Sequence, residues 1–301
     1  MRAVQFSEYG GPEVLRLATD VPEPHAGPGE IRIAVRAAGV NGIDWKVREG
    51  LFAGGRPLAH PAGTGVDAAG VVDEVGAGVS GVAVGDRVFG SGRATLAERA
   101  VLTGWAAMPD GMGFEEAAGY PVPAETAVRT LREVGVRPGE TLLVSGAAGG
   151  VGSALVQFAR ARGVTVIGTA GPANQDHVRT LGATPTTYGE GLVDRVRALA
   201  PDGVDAAIDV AGSGVIPDLI ALTGDPGRVL SIADFSAPEH GALVSSAPVD
   251  PPAAFAEAAA LYARGALRIG VDRVFPLADA AAAQAAAQAG HARGRWIVTV
   301  S

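Results

Sequence analysis

The amino-acid sequence predicts an α/β fold in two parts: a doubly wound parallel sheet, preceded by a small β-rich barrel or sandwich. Three observations carry that expectation. The early strand patterns are short, closely spaced and bounded by glycines. From near Gly119 onward, strand and helix patterns alternate. In the middle of the chain, SGAAGGVG (Ser145–Gly152) joins a short buried strand to an amphipathic helix. The length, 301 residues, suits about two domains.

Each element has its own signal. Ile31–Val40 begins with apolar and polar side chains alternating, the mark of a half-buried strand. Asp67–Gly76 and Gly85–Gly90 read as further short strands, joined by the turn-rich GAGVSGVAVGD. In the second part, Thr141–Ser145 is a buried strand. The helix after it carries Val151, Ala154, Leu155, Phe158 and Ala159 on one face. Strands follow at Gly163–Thr169, near Thr187, at Val204–Gly212 and at Gly227–Ala233, with helices at Asp176–Leu181 and Val193–Ala200 between them. The tail holds a helix near Ala253–Ala263, an alanine-rich helix from Leu277 stopped by Gly290, and a last strand in RWIVTV. The tail is expected to return to the first domain, giving 1–118 with 249–301 as one domain and 119–248 as the other.

Composition excludes several classes. The net charge is −8 with no lysine- or arginine-rich run, so a nucleic-acid partner is not expected. The absence of cysteine rules out disulfides, thiolate catalysis and cysteine zinc sites, and fits the cytoplasm. The N-terminus lacks an apolar signal region, and no run of ~18 apolar residues could span a membrane.

The glycine loop is read as a phosphate cradle. Gly149 is expected to take a backbone conformation closed to other residues and to leave room for a pyrophosphate. Gly152 lets the helix pack close to the strand. Ala147 stands at the first glycine position of GxGxxG, and Gly150 and Val151 complete the turn into the helix, whose N-terminus offers unpaired N–H groups.

The loop, together with GVNGID (Gly39–Asp44), GTGVDAAGVVDEVGAGV (Gly63–Val79), GDRVFG, EYGGPEVL, MPDG and HARGRWIVTV, resembles the medium-chain dehydrogenase/reductase superfamily, and within it the zinc-independent quinone oxidoreductase branch. The resemblance runs nearly end to end. It implies a Rossmann domain binding NADP(H) and a GroES-like β-barrel domain, a small-molecule acceptor (a quinone or enone), and a homodimer. An enoyl or enone reductase on the same fold is one alternative, and an NADPH-binding structural or sensing protein with little turnover is another.

An NAD site usually places an acid at the end of the second strand, to bond the ribose 2′-hydroxyl. Here that strand ends Gly168-Thr169-Ala170-Gly171, which favours NADPH over NADH. Thr169, Asn174 and Gln175 supply small polar groups there, although the resemblance leads one to expect a lysine in this segment. Tyr188 matches a family tyrosine near the 2′-phosphate, with an ordinary strand-end aromatic as the other reading, and Arg179 is a further source of charge. Thr126 matches a family threonine near the nicotinamide, or is a plain helix-start residue. Val210 and Ala211 end the fourth strand, and Ile232 and Ala233 the fifth, at the carboxyl edge where open α/β sheets bind ligands. Arg295 matches a basic residue against the pyrophosphate, or is a surface arginine.

Against the zinc-dependent relatives, Asn41 occupies the cysteine position and Gly65-Val66-Asp67 replaces Gly-His-Glu, so no metal is expected. The five histidines, His25, His60, His177, His240 and His291, have no ligand spacing. Asn41 is either an amide donor to the acceptor carbonyl or a turn residue. Asp44 is read as a helix N-cap. Trp45, Arg48 and Phe52 match the family's substrate pocket, where pocket tyrosines are replaced by Lys46 and Phe52. No proton donor is evident, leaving water as the source or one-electron uptake by the acceptor. Glu125 is read as facing solvent, with an acid near the cofactor as the other reading.

Overall fold

The computed structural model describes residues 1–290 and 293–300. The chain divides into two compact units: Met1–Val122 with Pro251–Arg264 and Ile269–Ser301, and Pro123–Asp250 with Gly265–Arg268.

In the first stretch of chain lie β1 (Ala3–Phe6), β2 (Arg16–Ala18), β3 (Ile31–Val40), α1 (Gly42–Arg48), β4 (Ala62–Gly63), β5 (Asp67–Val75), β6 (Arg87–Arg93), β7 (Arg99–Ala107) and α2 (Phe114–Ala117). β3, β5, β6 and β7 pair in sequence, antiparallel throughout, and β3 also pairs with β7. Because β3 pairs with β5 on one side and β7 on the other, these four strands close into a barrel. Its interior is filled by Ile31, Ile33, Val35, Val72, Val88, Leu96 and Leu102, all buried. β1 sits between β2 and β4 in a small separate sheet.

Next come α3 (Pro121–Glu133), which contains the division between the units, then β8 (Thr141–Ser145), α4 (Gly150–Ala161), β9 (Thr165–Thr169), α5 (Gln175–Thr180), β10 (Thr184–Thr186), α6 (Leu192–Leu199), β11 (Ala206–Asp209), α7 (Ile216–Thr223), β12 (Val229–Ser231) and β13 (Leu243–Val244). The strands form one parallel sheet in the order β10-β9-β8-β11-β12-β13. The order reverses between β8 and β11, the switch point at which such sheets leave a ligand crevice at their carboxyl edge. Leu143, Ile167, Ala207 and Val229 face one buried layer with Leu192, Val196 and Leu219 from the helices.

The tail contributes α8 (Pro251–Ala263), β14 (Val271–Pro276), α9 (Ala280–Ala289) and β15 (Arg295–Thr299). β15 runs antiparallel to β3, Ile297 opposite Gly39, and β14 lies parallel to β15 at the edge of the first unit's sheet. Gly290 ends α9 with φ +75°, which a residue with a side chain rarely adopts.

Candidate functional site

The glycine loop turns out of β8 through Gly146, whose φ of +88° makes it the residue with the left-handed requirement. The expectation placed that requirement at Gly149. Gly149 instead has φ −75° in extended backbone and caps α4 with no side-chain hydrogen bond. A Cβ built on Gly149 would meet nothing nearer than Gly146 O at 3.9 Å, so the chain itself leaves that space open. A Cβ on Gly152 would lie 2.1 Å from Gly146 O and 2.8 Å from Ala147 Cα, so Gly152 is where the helix packs against the loop. Gly152→Ala is accordingly expected to destabilise the protein by about 2–3 kcal/mol through overpacking, read by urea denaturation.

The loop is anchored from the neighbouring strand. Ala147 N–H donates to Thr169 O at 2.9 Å, and Gly146 N–H donates to Thr169 Oγ1 at 3.1 Å. Thr169 is buried, and its hydroxyl, offered by the sequence as a polar group for the ribose phosphate, here holds the loop. Gly149 supplies no capping side chain to the first turn of α4, where Gly150, Val151 and Gly152 stand, and the leading N–H groups of a helix have no partner within it.

Beyond β9, Ala170 N–H donates to Thr186 O, and Gln175 Nε2 donates to the carbonyls of Ala170, Gly171 and Thr186. Asn174 ends the turn Pro172–Asn174 that leads into α5. Tyr188 is 58% exposed, and its hydroxyl lies 3.5 Å from where a Cβ on Gly171 would stand. No carboxylate closes β9, and Arg179 is paired with Asp176 on the surface of α5. Val210 and Ala211 follow β11, and Ile232 and Ala233 follow β12. A Cβ on Gly146 would be 3.1 Å from Val210 Cγ2 and 3.2 Å from Ala211 Cβ, so the glycine loop and the end of β11 meet. These residues thus gather at one edge of one sheet.

Thr126 lies buried in α3, its carbonyl accepting the Thr130 hydroxyl. Glu125 faces neither solvent nor an open site. It is buried, pairs with Arg129 at 3.0 Å and accepts the Val249 N–H at 3.2 Å. Four residues apart on one helix face, Glu125 and Arg129 satisfy each other.

In the first unit, Asn41, Asp44, Asp67 and Arg295 form one buried network. Asn41, not Asp44, caps α1. Asp44 sits three residues on and completes a reciprocal capping box, its Oδ2 accepting the Asn41 N–H at 2.8 Å. Asn41 Nδ2 donates to Asp67 Oδ2 at 2.9 Å, and Arg295 Nη2 donates to Asn41 Oδ1 at 2.6 Å and Asp67 Oδ2 at 3.2 Å. Two expectations are corrected here. Arg295 is no pyrophosphate ligand and no surface arginine, because a buried carboxylate on β5 claims its guanidinium. Asn41 has both sides of its amide engaged and is 2% exposed, so it is a capping and network residue, not a free donor to an acceptor carbonyl. Gly39 makes the network possible: a Cβ there would stand 2.3 Å from Ala118 O and 3.2 Å from Arg295 Nη2.

Burial pushes the Asp44 carboxyl up to about 7 and the Asp67 carboxyl up to about 6, with Arg295 pulling both down. Both acids hold protons in the folded state that they release when unfolded, between an ordinary 3.8 and their raised values. Their contribution to stability is therefore present below about pH 4 and is lost as pH rises through 6 and 7. Asp44 Oδ1 makes no hydrogen bond among the described residues. Asp44→Asn is expected to raise stability by about 2 kcal/mol at pH 8 and to change little at pH 5. Melting curves at the two pH values check it, and an equal shift at both would contradict the buried-charge account.

Arg48 does not line a pocket. It is fully buried, donating to Gly10 O at 3.0 Å, Gln284 Oε1 at 2.9 Å and Gln288 Oε1 at 3.0 Å, which ties α1 to α9. Trp45 stacks under the Lys46 ammonium, 5.7 Å from ring centre, and Phe52 is 56% exposed just after α1. No group of three or more His, Cys, Asp or Glu side chains is placed to hold a metal among the described residues. His25 pairs with Glu74, while His291 lies outside the described residues. Two functional candidates escaped sequence reasoning, Asp209 and Ser231. Their signal is a polar residue closing each of two otherwise apolar strands.

Comparison with known proteins agrees with this layout. The alcohol dehydrogenase GroES-like domain matches residues 27–129, and the zinc-binding dehydrogenase family matches residues 150–255. The quinone oxidoreductase of Rattus norvegicus is 35% identical over 242 residues, 77% of this chain and 73% of that protein. The structure of Escherichia coli quinone oxidoreductase complexed with NADPH matches with a TM-score of 0.85 at 25% identity, covering 100% of both chains. A mycobacterial protein complexed with NADPH matches with a TM-score of 0.86 at 30% identity, also covering 100% of both. The barrel closed by β3, the reversed parallel sheet and the glycine loop at its edge are thus those of an oxidoreductase lineage, and the chain belongs to the quinone oxidoreductase branch of the medium-chain dehydrogenase/reductase superfamily.

Proposed function

We propose that the protein is an NADPH-dependent oxidoreductase that passes hydride to a quinone or similarly electrophilic small molecule without zinc. The observation that carries this reading is the open space over Gly149 beside the uncapped start of α4, with no acid at the end of β9 to oppose a 2′-phosphate. Gly150, Val151 and Gly152 offer N–H groups to the pyrophosphate, and the edge at Ala170, Asn174 and Tyr188 takes the phosphorylated ribose. The NADPH complexes of the two structural relatives support this choice of cofactor. The bound cofactor supplies the hydride, and the chain holds and orients it.

Zinc does not fit the residues present. A catalytic zinc takes three protein ligands, and Asp67 is the one metal-binding side chain at the matching positions. Its carboxylate is already held by Arg295 and Asn41 and by the Val122 N–H at 3.1 Å. A dication there would face a buried guanidinium. Metal analysis of the purified protein is expected to find no stoichiometric zinc. Full loss of activity on chelation would contradict this reading.

The deciding assay follows NADPH and NADH oxidation with a panel of quinones and enones. Quinone-dependent oxidation, faster with NADPH, is the expected result. Turnover of enones alone would move the acceptor to an activated C=C, and tight NADPH binding without turnover would leave a binding protein. On the family resemblance, the working form is a cytoplasmic homodimer, which light scattering tests by reading twice the chain mass. No helix among the described residues is long and apolar enough to cross a membrane.

A further inference from the structure

We infer that Asp209 and Ser231 are positioning residues for the nicotinamide half of the cofactor, an inference that rests on the proposed NADPH site. Asp209 is the last residue of β11 and Ser231 the last of β12, adjacent parallel strands beyond the switch point. Both are fully buried. Asp209 Oδ1 accepts the N–H groups of Ala211 at 3.1 Å and Gly212 at 3.2 Å. Its Oδ2 accepts the Ser231 hydroxyl at 2.8 Å. Ser231 Oγ in turn accepts the N–H groups of Ala233 at 3.1 Å and Asp234 at 2.8 Å. One carboxylate and one hydroxyl thus fold two successive strand ends into turns.

Those turns touch each other and the glycine loop. Gly212 has φ +69°, and a Cβ on it would stand 3.0 Å from the Ala233 Cβ. Val210 N–H donates to Ser145 O at 3.0 Å, at the base of the loop. In a sheet of this order the second set of strands carries the second mononucleotide, while the adenosine half lies over β8 and β9. The pair therefore holds the backbone of Val210–Gly212 and Ile232–Asp234 in the shape presented to the nicotinamide. It does so from beneath, without touching the ligand. Apolar strand ends would build the same sheet but would leave the N–H groups of Ala211, Gly212, Ala233 and Asp234 without the acceptors that fix these two turns.

The test separates the two halves of the cofactor. NADPH and 2′,5′-ADP affinities are measured by fluorescence titration and competition on the full chain, for wild type, Asp209→Asn and Ser231→Ala, with melting curves alongside. Asn at 209 keeps the size but turns a donor toward Ser231, which already accepts two N–H groups. Ser231→Ala removes the hydroxyl with less disturbance and decides the matter should the first variant fail to fold. The expected result is NADPH binding weakened about tenfold in the folded variants, with 2′,5′-ADP affinity within about twofold of wild type because the adenosine half is untouched. Unchanged NADPH affinity, or equal losses for both ligands, would overturn the positioning role. Wild-type protein that binds 2′,5′-ADP and NADPH at neither half would overturn the NADPH reading itself.

Discussion

Arg295→Leu is expected to lower stability by about 3–5 kcal/mol at pH 8, because it strips a buried carboxylate of its cation. Arg295 Nη2 bridges Asn41 Oδ1 and Asp67 Oδ2, and both partners are buried. Without it, Asp67 keeps only the Asn41 amide and the Val122 N–H. Burial already pushes the Asp67 carboxyl up to about 6 against the pull of Arg295. Removing that pull raises it further, so the acid takes up a proton over a wider pH range in the variant. The sign follows: a carboxyl raised in the folded state stabilises below its unfolded value and loses that contribution as pH rises through the folded one. The deficit relative to wild type is thus largest at pH 8 and shrinks toward pH 4, where Asp67 is neutral in both proteins. Urea denaturation at pH 5 and pH 8 measures it. An equal deficit at both would show that Arg295 acts by packing alone. Arg295→Lys restores a charge but not the planar fork that reaches two acceptors, so it recovers part of the loss.

How far the site was legible depends on how local its causes are. β8 was readable to the residue, because Thr141–Ser145 is a buried apolar run followed by glycines. The loop's place was readable too, between the strand before it and the helix after it. Its conformational detail was not: the left-handed residue is Gly146, one step before the AxGxxG pattern, and the spacing of glycines alone does not say which one bends the chain. α3 was glimpsed only at Thr126, as a possible helix start; the helix begins five residues earlier, at Pro121, because the first turn of a helix tolerates proline. β14 was missed because most of its side chains are exposed, so no alternation of burial marks it. Arg295 and Asn41 were misread for a different reason. Their partner Asp67 arrives through the pairing of β15 with β3 and of β3 with β5, a register that no local window contains. Arg48 likewise owes its burial to Gln284 and Gln288, more than 200 positions later, separations of 236 and 240 residues.

Gly149→Val is expected to leave the fold intact and weaken NADPH binding by more than about a hundredfold. A residue with a side chain is permitted there, since φ is −75° and the nearest atom to a Cβ is 3.9 Å away. Valine is a poorer helix N-cap than glycine, so the substitution is expected to cost about 1 kcal/mol of stability, too little to unfold the domain. What valine does fill is the space over the first N–H groups of α4, where a pyrophosphate needs to approach the backbone. This sets Gly149 apart from Gly152, whose Cβ would collide with Gly146 O at 2.1 Å. The two substitutions separate binding from folding. Gly152→Ala lowers the melting temperature and drags affinity down with it, whereas Gly149→Val keeps the melting temperature within a few degrees and removes the rise in melting temperature that NADPH gives the wild type. Thermal shift with and without NADPH reads both at once. A Gly149→Val protein that still binds NADPH at wild-type affinity would mean that the pyrophosphate does not lie over this loop, and the cofactor site would have to be sought elsewhere.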